Sequence, residues 1–262
     1  MTWPCKKFLI YRDMTTLKFY KDWLDENINV LSYHNELDPK FWKEDDKLDP
    51  KIREKLLRIA RDFYESVRIE TEIIDIYLMG SMANYNYTKL SDLDTHIVID
   101  FEDVGPSDLV EKAVDGERFQ WNTRHNILLR GHDVELYIQD IKDKKPHAGI
   151  YSLMNDKWVQ KPKFDPPKLT DEDILPKYHS YVFEIDELEK MLKGETNTDE
   201  LEKYYLRAKE IKKKLSEARQ IGINRAGEFA LENLVWKKLR YDGYVGKLID
   251  FKNGLYDKIF AQ

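Results

Sequence analysis

One cysteine, Cys5, is all the thiol this 262-residue chain possesses. A disulfide framework needs pairs, and a cysteine-based zinc site needs several thiolates, so both are excluded. Metal chemistry here means oxygen ligands, and the cysteine usage fits a reducing cytoplasm. Long apolar runs are also missing. Nothing approaches the roughly 20 residues of a membrane span, and Met1 to Ile10 lacks the core of a signal peptide, so a soluble cytoplasmic protein is expected. A net positive charge is also missing: 43 lysines and arginines are outnumbered by 49 acids, and the formal net charge of −6 removes the basic field that sequence-independent nucleic-acid binding requires. The deficit is uneven, because residues 201–262 carry an excess of about six positive charges, hinting at one basic face or a solvated helix surface. No internal repeat or low-complexity tract is present.

What the chain does have is material for a core. With 42% hydrophobic and 13% aromatic residues it is incompatible with disorder, and its length suits a catalytic module plus a helical companion. Leu17, Phe19, Tyr20, Trp23 and Leu24 fall near helical spacing, and a second helical pattern covers Pro50 to Val67, with Pro50 suited to a first turn. The texture then changes to short β-rich runs at Ile73 to Met79, Asp94 to Ile99, Ile127 to Arg130 and Val134 to Ile138, with a helical stretch near Ser107 to Thr123 between the second and third. This order predicts an α/β (α+β) fold: a small mixed sheet with helices on one side. Prolines 162, 166 and 167 interrupt regular structure. The domain plan is therefore 1–160 as the catalytic domain, 161–170 as linker and 171–262 as a helical C-terminal domain closing a cleft over it. In that last part helices are predicted at Asp171 to Leu192, Thr198 to Arg219, Glu228 to Arg240 and Tyr244 to Phe260.

The chemistry is concentrated in residues 73–100. An apolar strand runs into Gly80-Ser81, where the backbone can turn sharply and offer amides and the Ser81 hydroxyl to a phosphate. Asp92 and Asp94 then open the next strand. Residues two apart on a strand share a face, so these two carboxylates converge, an arrangement that is costly without a cation between them. Hard oxygen ligands favour Mg²⁺ or Mn²⁺ completed by water and substrate phosphate oxygens. A two-ion site wants a third carboxylate. Glu135, flanked by Val134 and Leu136 on a later strand, supplies it as metal ligand and as aligner or general base for an attacking hydroxyl. Asp133 is the rival on the same face. An Asp-x-Asp also occurs in glycosyltransferases, but there the acids typically follow a strand rather than precede one. A haloacid-dehalogenase pattern would not place His96 where it stands.

Gly80-Ser81, ten residues, Asp92-Leu93-Asp94, then the Val-Glu-Leu strand at Glu135 resembles the DNA polymerase β-like nucleotidyltransferase superfamily. The motif spans residues 73–138, about a quarter of the chain. The resemblance implies transfer of a nucleoside monophosphate from an NTP to a hydroxyl, with release of pyrophosphate and two Mg²⁺ or Mn²⁺ ions. More loosely, Gly149 to Trp158 and Asn224 to Tyr244 look similar to small nucleotidyltransferase-like proteins encoded by tailed bacteriophages. The acceptor stays open: a nucleic-acid 3′ end, a second nucleotide as in cyclic or linear oligonucleotide synthases, a small molecule or a protein. A catalytically silent nucleotide-binding regulator is the reading from another class. His96 shares the parity of the acids and reads as a structural histidine or a pocket residue; Tyr85 and Tyr87 are placed to stack on a base or to pack the loop. Asn233, Lys237 and Arg240 form one polar helical stripe, and Lys237 is the nucleotide-binding candidate on it, either clamping the triphosphate or facing water.

Overall fold

The computed structural model describes residues 30–143, 149–166 and 168–260. The helix expected around Leu17 to Leu24 lies outside the described residues. The fold is mixed α/β, with six strands in one mixed sheet and, among the described residues, six α-helices. The chain divides into two compact units, one covering residues 32–166 and the other residues 168–260 together with Val30 and Leu31.

In the first unit, α1 (Pro50–Val67) starts where the sequence places it. Asp49 caps it by accepting from the Lys51 amide at 2.9 Å, and Pro50 fills the first turn, where no donor is needed. Ile52, Leu56, Ala60 and Phe63 recur along one side and are all buried. The Asp49 carboxylate is itself buried and lies 2.9 Å from both Lys43 and Arg130. The Lys43 ammonium above all, then the Arg130 guanidinium, holds its carboxyl well below the usual carboxylate range despite burial.

The strands are β1 (Asp75–Met79), β2 (Leu93–Ile99), β3 (Leu128–Leu129), β4 (His132–Asp140), β5 (Ile150–Ser152) and β6 (Lys157–Gln160), in the order β3-β4-β2-β1-β5-β6. Only β2 and β4 run parallel, and the crossover between them carries α2 (Ser107–Arg124). β3 and β4 form a tight hairpin whose two turn residues, Arg130 and Gly131, both have positive φ, as a two-residue turn between twisted strands demands. β5 and β6 fall within residues 149–160, to which the periodicity assigns no strand. They are three and four residues long, too short for alternation to declare itself.

Alternation divides the sheet into two chemically different faces. Ile76, Leu78, Leu93, Ile97, Ile99, Val134, Leu136 and Ile138 point one way and share a core with Leu56, Phe63, Val110 and Val114 of α1 and α2. The other face carries Asp75, Tyr77 and Met79 on β1, Asp94, His96 and Val98 on β2, and Glu135, Tyr137 and Gln139 on β4. Beside β4, the Asn122 side chain of α2 donates to the Leu136 carbonyl at 3.2 Å and accepts from its amide at 3.3 Å, as a neighbouring strand would.

The second unit holds α3 (Asp171–Leu192), α4 (Thr198–Ala226), α5 (Leu231–Tyr241) and α6 (Tyr244–Phe260). Ile174, Ile185, Ala208, Ile211, Leu215, Leu234, Leu239 and Leu248 are among its core residues. α4 runs past Arg219 to Ala226 because Gly222 serves contact rather than termination: a Cβ there would sit 2.8 Å from Glu232 Oε2 and 3.1 Å from the Ala230 Cβ. The single helix expected from Glu228 to Arg240 is instead a 3₁₀ turn, Gly227–Phe229, and α5, separated by Ala230 with extended ψ of 139°. Among the described residues no helix is long and apolar enough to cross a membrane.

Candidate active site

The end of β1 is shaped by Gly80. Its φ of 74° and ψ of −159° lie in a region that essentially only glycine occupies, and the chain then enters a 3₁₀ turn, Ser81–Ala83. A Cβ at Gly80 would fall 2.0 Å from Asp94 Oδ2, so the Asp94 carboxylate rests directly against the Gly80 backbone. The turn is tied down from several directions. Trp42 Nε1 donates to the Met82 carbonyl at 2.8 Å, and the Trp42 ring is stacked on Trp158 at 4.7 Å. On the opposite strand connection, a Cβ on Gly149 would meet the Ala83 carbonyl oxygen at 2.0 Å.

Ser81 Oγ donates to Ser91 Oγ at 2.8 Å, and Ser91 Oγ also accepts from the Thr88 amide at 2.9 Å. The Ser91 carbonyl in turn accepts from His132 Nδ1 at 2.7 Å. The Ser81 hydroxyl therefore bridges the turn to the residue before Asp92, and a phosphate arriving there competes with Ser91 for its proton. Trp42, Ser91, His132 and Gly149 carry no motif signal. Their role is set by contacts to residues 40 to 116 positions away in sequence, apart from the local pair Ser81 and Ser91.

The acids occupy neighbouring strands. Asp94 and Glu135 are direct partners in the parallel β2–β4 register, and Asp94 is also opposite Met79, the residue before Gly80. Asp92 is buried at the entrance to β2, before the ladder begins at the Leu93–Val134 pair. Asp133 shares the face of Glu135, but its register partner is Leu128 of β3. The register thus sets Glu135, and not Asp133, beside Asp94.

Around Glu135 is a group of side chains the motif does not announce. Tyr137 Oη donates to Glu135 Oε2 at 2.7 Å. The His96 ring is stacked on the Tyr137 ring at 4.5 Å and 10°, and the Arg118 guanidinium of α2 lies 4.9 Å from the centre of the same ring. His96 Nδ1 donates to Gln139 Oε1 at 2.7 Å, so this histidine is hydrogen-bonded into the sheet face. Burial first, then the charges of Asp94 and Glu135, push the Tyr137 phenol far above its ordinary range.

The donor set suits a hard divalent cation within limits. Among the described residues no group of three His, Cys, Asp or Glu side chains is arranged to hold a metal ion, so Asp92, Asp94 and Glu135 do not form a closed cage. The pair Asp94 and Glu135 remains, two carboxylates side by side against a glycine turn. Magnesium is commonly bound by one or two carboxylates and completes its shell with water and substrate phosphate oxygens, so the pair fits an ion that arrives with a nucleotide.

The remaining expected residues pack. Tyr87 is stacked on His34 at 3.9 Å, and Tyr85 lies against Tyr33 and Phe164 with ring centres 6.0 and 5.6 Å away. In the second unit, Lys237 is 2.9 Å from Glu228 with only 17% of its side chain exposed, and Asn233 is fully buried, accepting from Arg219 Nε at 3.0 Å. The Asn233–Lys237 part of the stripe is thus a polar network within that unit rather than a solvated surface. No family model matches the chain, and comparison with curated proteins and with solved structures found no match.

Proposed function

We propose that this chain is a metal-dependent nucleotidyltransferase that transfers a nucleoside monophosphate from an NTP to a hydroxyl. In this reading the sheet unit is a polymerase β-like nucleotidyltransferase core and residues 171–262 are a helical C-terminal domain. The observation that carries the proposal is the direct pairing of Asp94 with Glu135, with the Asp94 carboxylate seated against Gly80. A sharp glycine turn and two carboxylates side by side at one sheet end are what phosphoryl-transfer chemistry asks of a protein.

Asp94 and Glu135, with Asp92 two residues before Asp94, would hold Mg²⁺ or Mn²⁺, which when bound neutralises charge on the triphosphate. The backbone after Gly80 and the Ser81 hydroxyl bind and orient the phosphates. Glu135 aligns the acceptor hydroxyl and takes its proton as the acceptor oxygen attacks the α-phosphorus. The new oxygen–phosphorus bond forms while the bond to the bridging oxygen breaks, and pyrophosphate leaves with the electron pair. Most of the rate enhancement then comes from positioning and charge neutralisation.

The test is incubation with each α-labelled NTP and Mg²⁺ or Mn²⁺, alone and with RNA. Pyrophosphate release with labelled product is expected for the intact chain, and none for a folded Asp94→Ala variant. Metal-dependent turnover retained in Asp94→Ala overturns the proposal. Product without added acceptor identifies oligonucleotide synthesis, a labelled polymer identifies end modification, and tight NTP binding without product identifies a regulator.

A further inference from the structure

We infer that Tyr137 is a positioning residue for Glu135: its half-buried side chain fixes one carboxylate oxygen through the hydroxyl and so sets the direction in which the other is presented to cation or acceptor. The inference rests on the assignment of Glu135 made above. A buried tyrosine needs some acceptor for its hydroxyl, and a backbone carbonyl is enough. Tyr64 shows this, donating to the Thr71 carbonyl at 3.0 Å. Tyr137 uses instead the side chain that stands in register with Asp94, at 2.7 Å.

The ring doing this is not free to turn. His96, the register partner of Tyr137, is stacked flat on it, Gln139 holds His96 through Nδ1, and Arg118 comes over the ring from α2. Gln139, His96, Tyr137 and Glu135 thus form a chain along one sheet face in which each side chain restrains the next. Glutamate has three rotatable bonds and, left alone beside a second carboxylate, would swing away from Asp94. A neutral donor on one oxygen opposes that without adding a positive charge that would compete with a metal ion. Outer partners of this kind commonly contribute 10–100-fold to metal affinity or activity.

The experiment measures binding rather than turnover. The folded full chain is titrated calorimetrically with the Mn²⁺ complexes of the four α,β-methylene nucleoside triphosphates, which cannot release pyrophosphate. Wild type, Glu135→Gln, Tyr137→Phe and the double variant are compared, with circular dichroism as the check on folding. Glu135→Gln and Tyr137→Phe are each expected to weaken binding about 10-fold or more. The double variant should be no weaker than Glu135→Gln alone, because Tyr137 acts only through Glu135. If Glu135→Gln weakens binding and Tyr137→Phe stays within about twofold of wild type, the role of Tyr137 is refuted while the Glu135 assignment stands. If wild type binds none of the complexes, or Glu135→Gln binds as wild type does, the assignment itself fails and the inference falls with it. Should Tyr137→Phe not fold, replacement of Tyr137 by 4-aminophenylalanine, which keeps the ring and a para donor, decides the matter. Affinity near wild type supports the role, and a folded protein with 10-fold weaker binding overturns it.

Discussion

Replacing Gly80 with alanine tests the central geometric claim, that the turn after β1 and the Asp94 carboxylate are built against each other. Two separate costs are expected. The backbone at φ 74° and ψ −159° is open to glycine and strained for alanine, which costs about 1–3 kcal/mol. The added methyl also falls 2.0 Å from Asp94 Oδ2, so the carboxylate must leave its place, and such overpacking costs about 1–3 kcal/mol more. Together these amount to about 2–6 kcal/mol, a large share of the 5–15 kcal/mol that holds a typical domain together. Urea unfolding of wild type, Gly80→Ala, Asp94→Ala and Gly80→Ala/Asp94→Ala separates the terms. Removing the Asp94 carboxylate relieves the steric part and leaves the backbone part, so a favourable coupling of about 1–3 kcal/mol is expected in the cycle. Additive single effects, or a Gly80→Ala cost under about 0.5 kcal/mol, would show that Asp94 does not sit against this turn.

Two further outcomes follow from other contacts. Asp49 has a folded carboxyl held below its unfolded value. Its contribution is therefore present above the unfolded pKa, about 3.9, and is lost as pH falls through the folded one. Unfolding free energy measured by urea titration between pH 5 and pH 2 should fall less steeply in Asp49→Asn than in wild type; parallel slopes would contradict the Lys43 and Arg130 pairing. Gly222→Ala gains roughly 1 kcal/mol of helix propensity but pushes a methyl into Ala230 and Glu232, an overpacking cost of about 1–3 kcal/mol. Net destabilisation of up to about 2 kcal/mol is expected in thermal or urea unfolding, and a stabilised variant would refute the close α4–α5 approach.

The long elements were legible because their signals are local. α1 begins and ends at Pro50 and Val67 as the apolar spacing, Asp49 and Pro50 require, and α3 and α6 likewise keep their expected limits. Where local signals misled, a contact distant in sequence was responsible. The helix expected to end at Arg219 continues through Gly222 because another helix needs the space a side chain would fill. β5 and β6 carry no clear sequence signal because three or four residues show little periodicity, and the pairing of β5 with β1 and of β6 with β5 is what makes them strands.

The candidate site divides the same way. Gly80, Ser81, Asp92, Asp94 and Glu135 stand out by residue type, order and spacing, and strand parity alone puts Glu135 and Asp133 on one face. Parity repeats every two residues and cannot choose between them; register can, because it is a property of two strands. The β2–β4 ladder sets Glu135 opposite Asp94 and leaves Asp133 with Leu128. The same holds for Tyr137, His96 and Gln139, whose spacing is that of any alternating strand. Only the packed sheet, with α2 supplying Arg118 beside it, brings their rings and hydrogen bonds together at the carboxylate. Sequence thus determined which residue types are available for chemistry, since those lie along a short segment. Tertiary structure decided which side chains act as neighbours, since that depends on strands and helices meeting across dozens of residues.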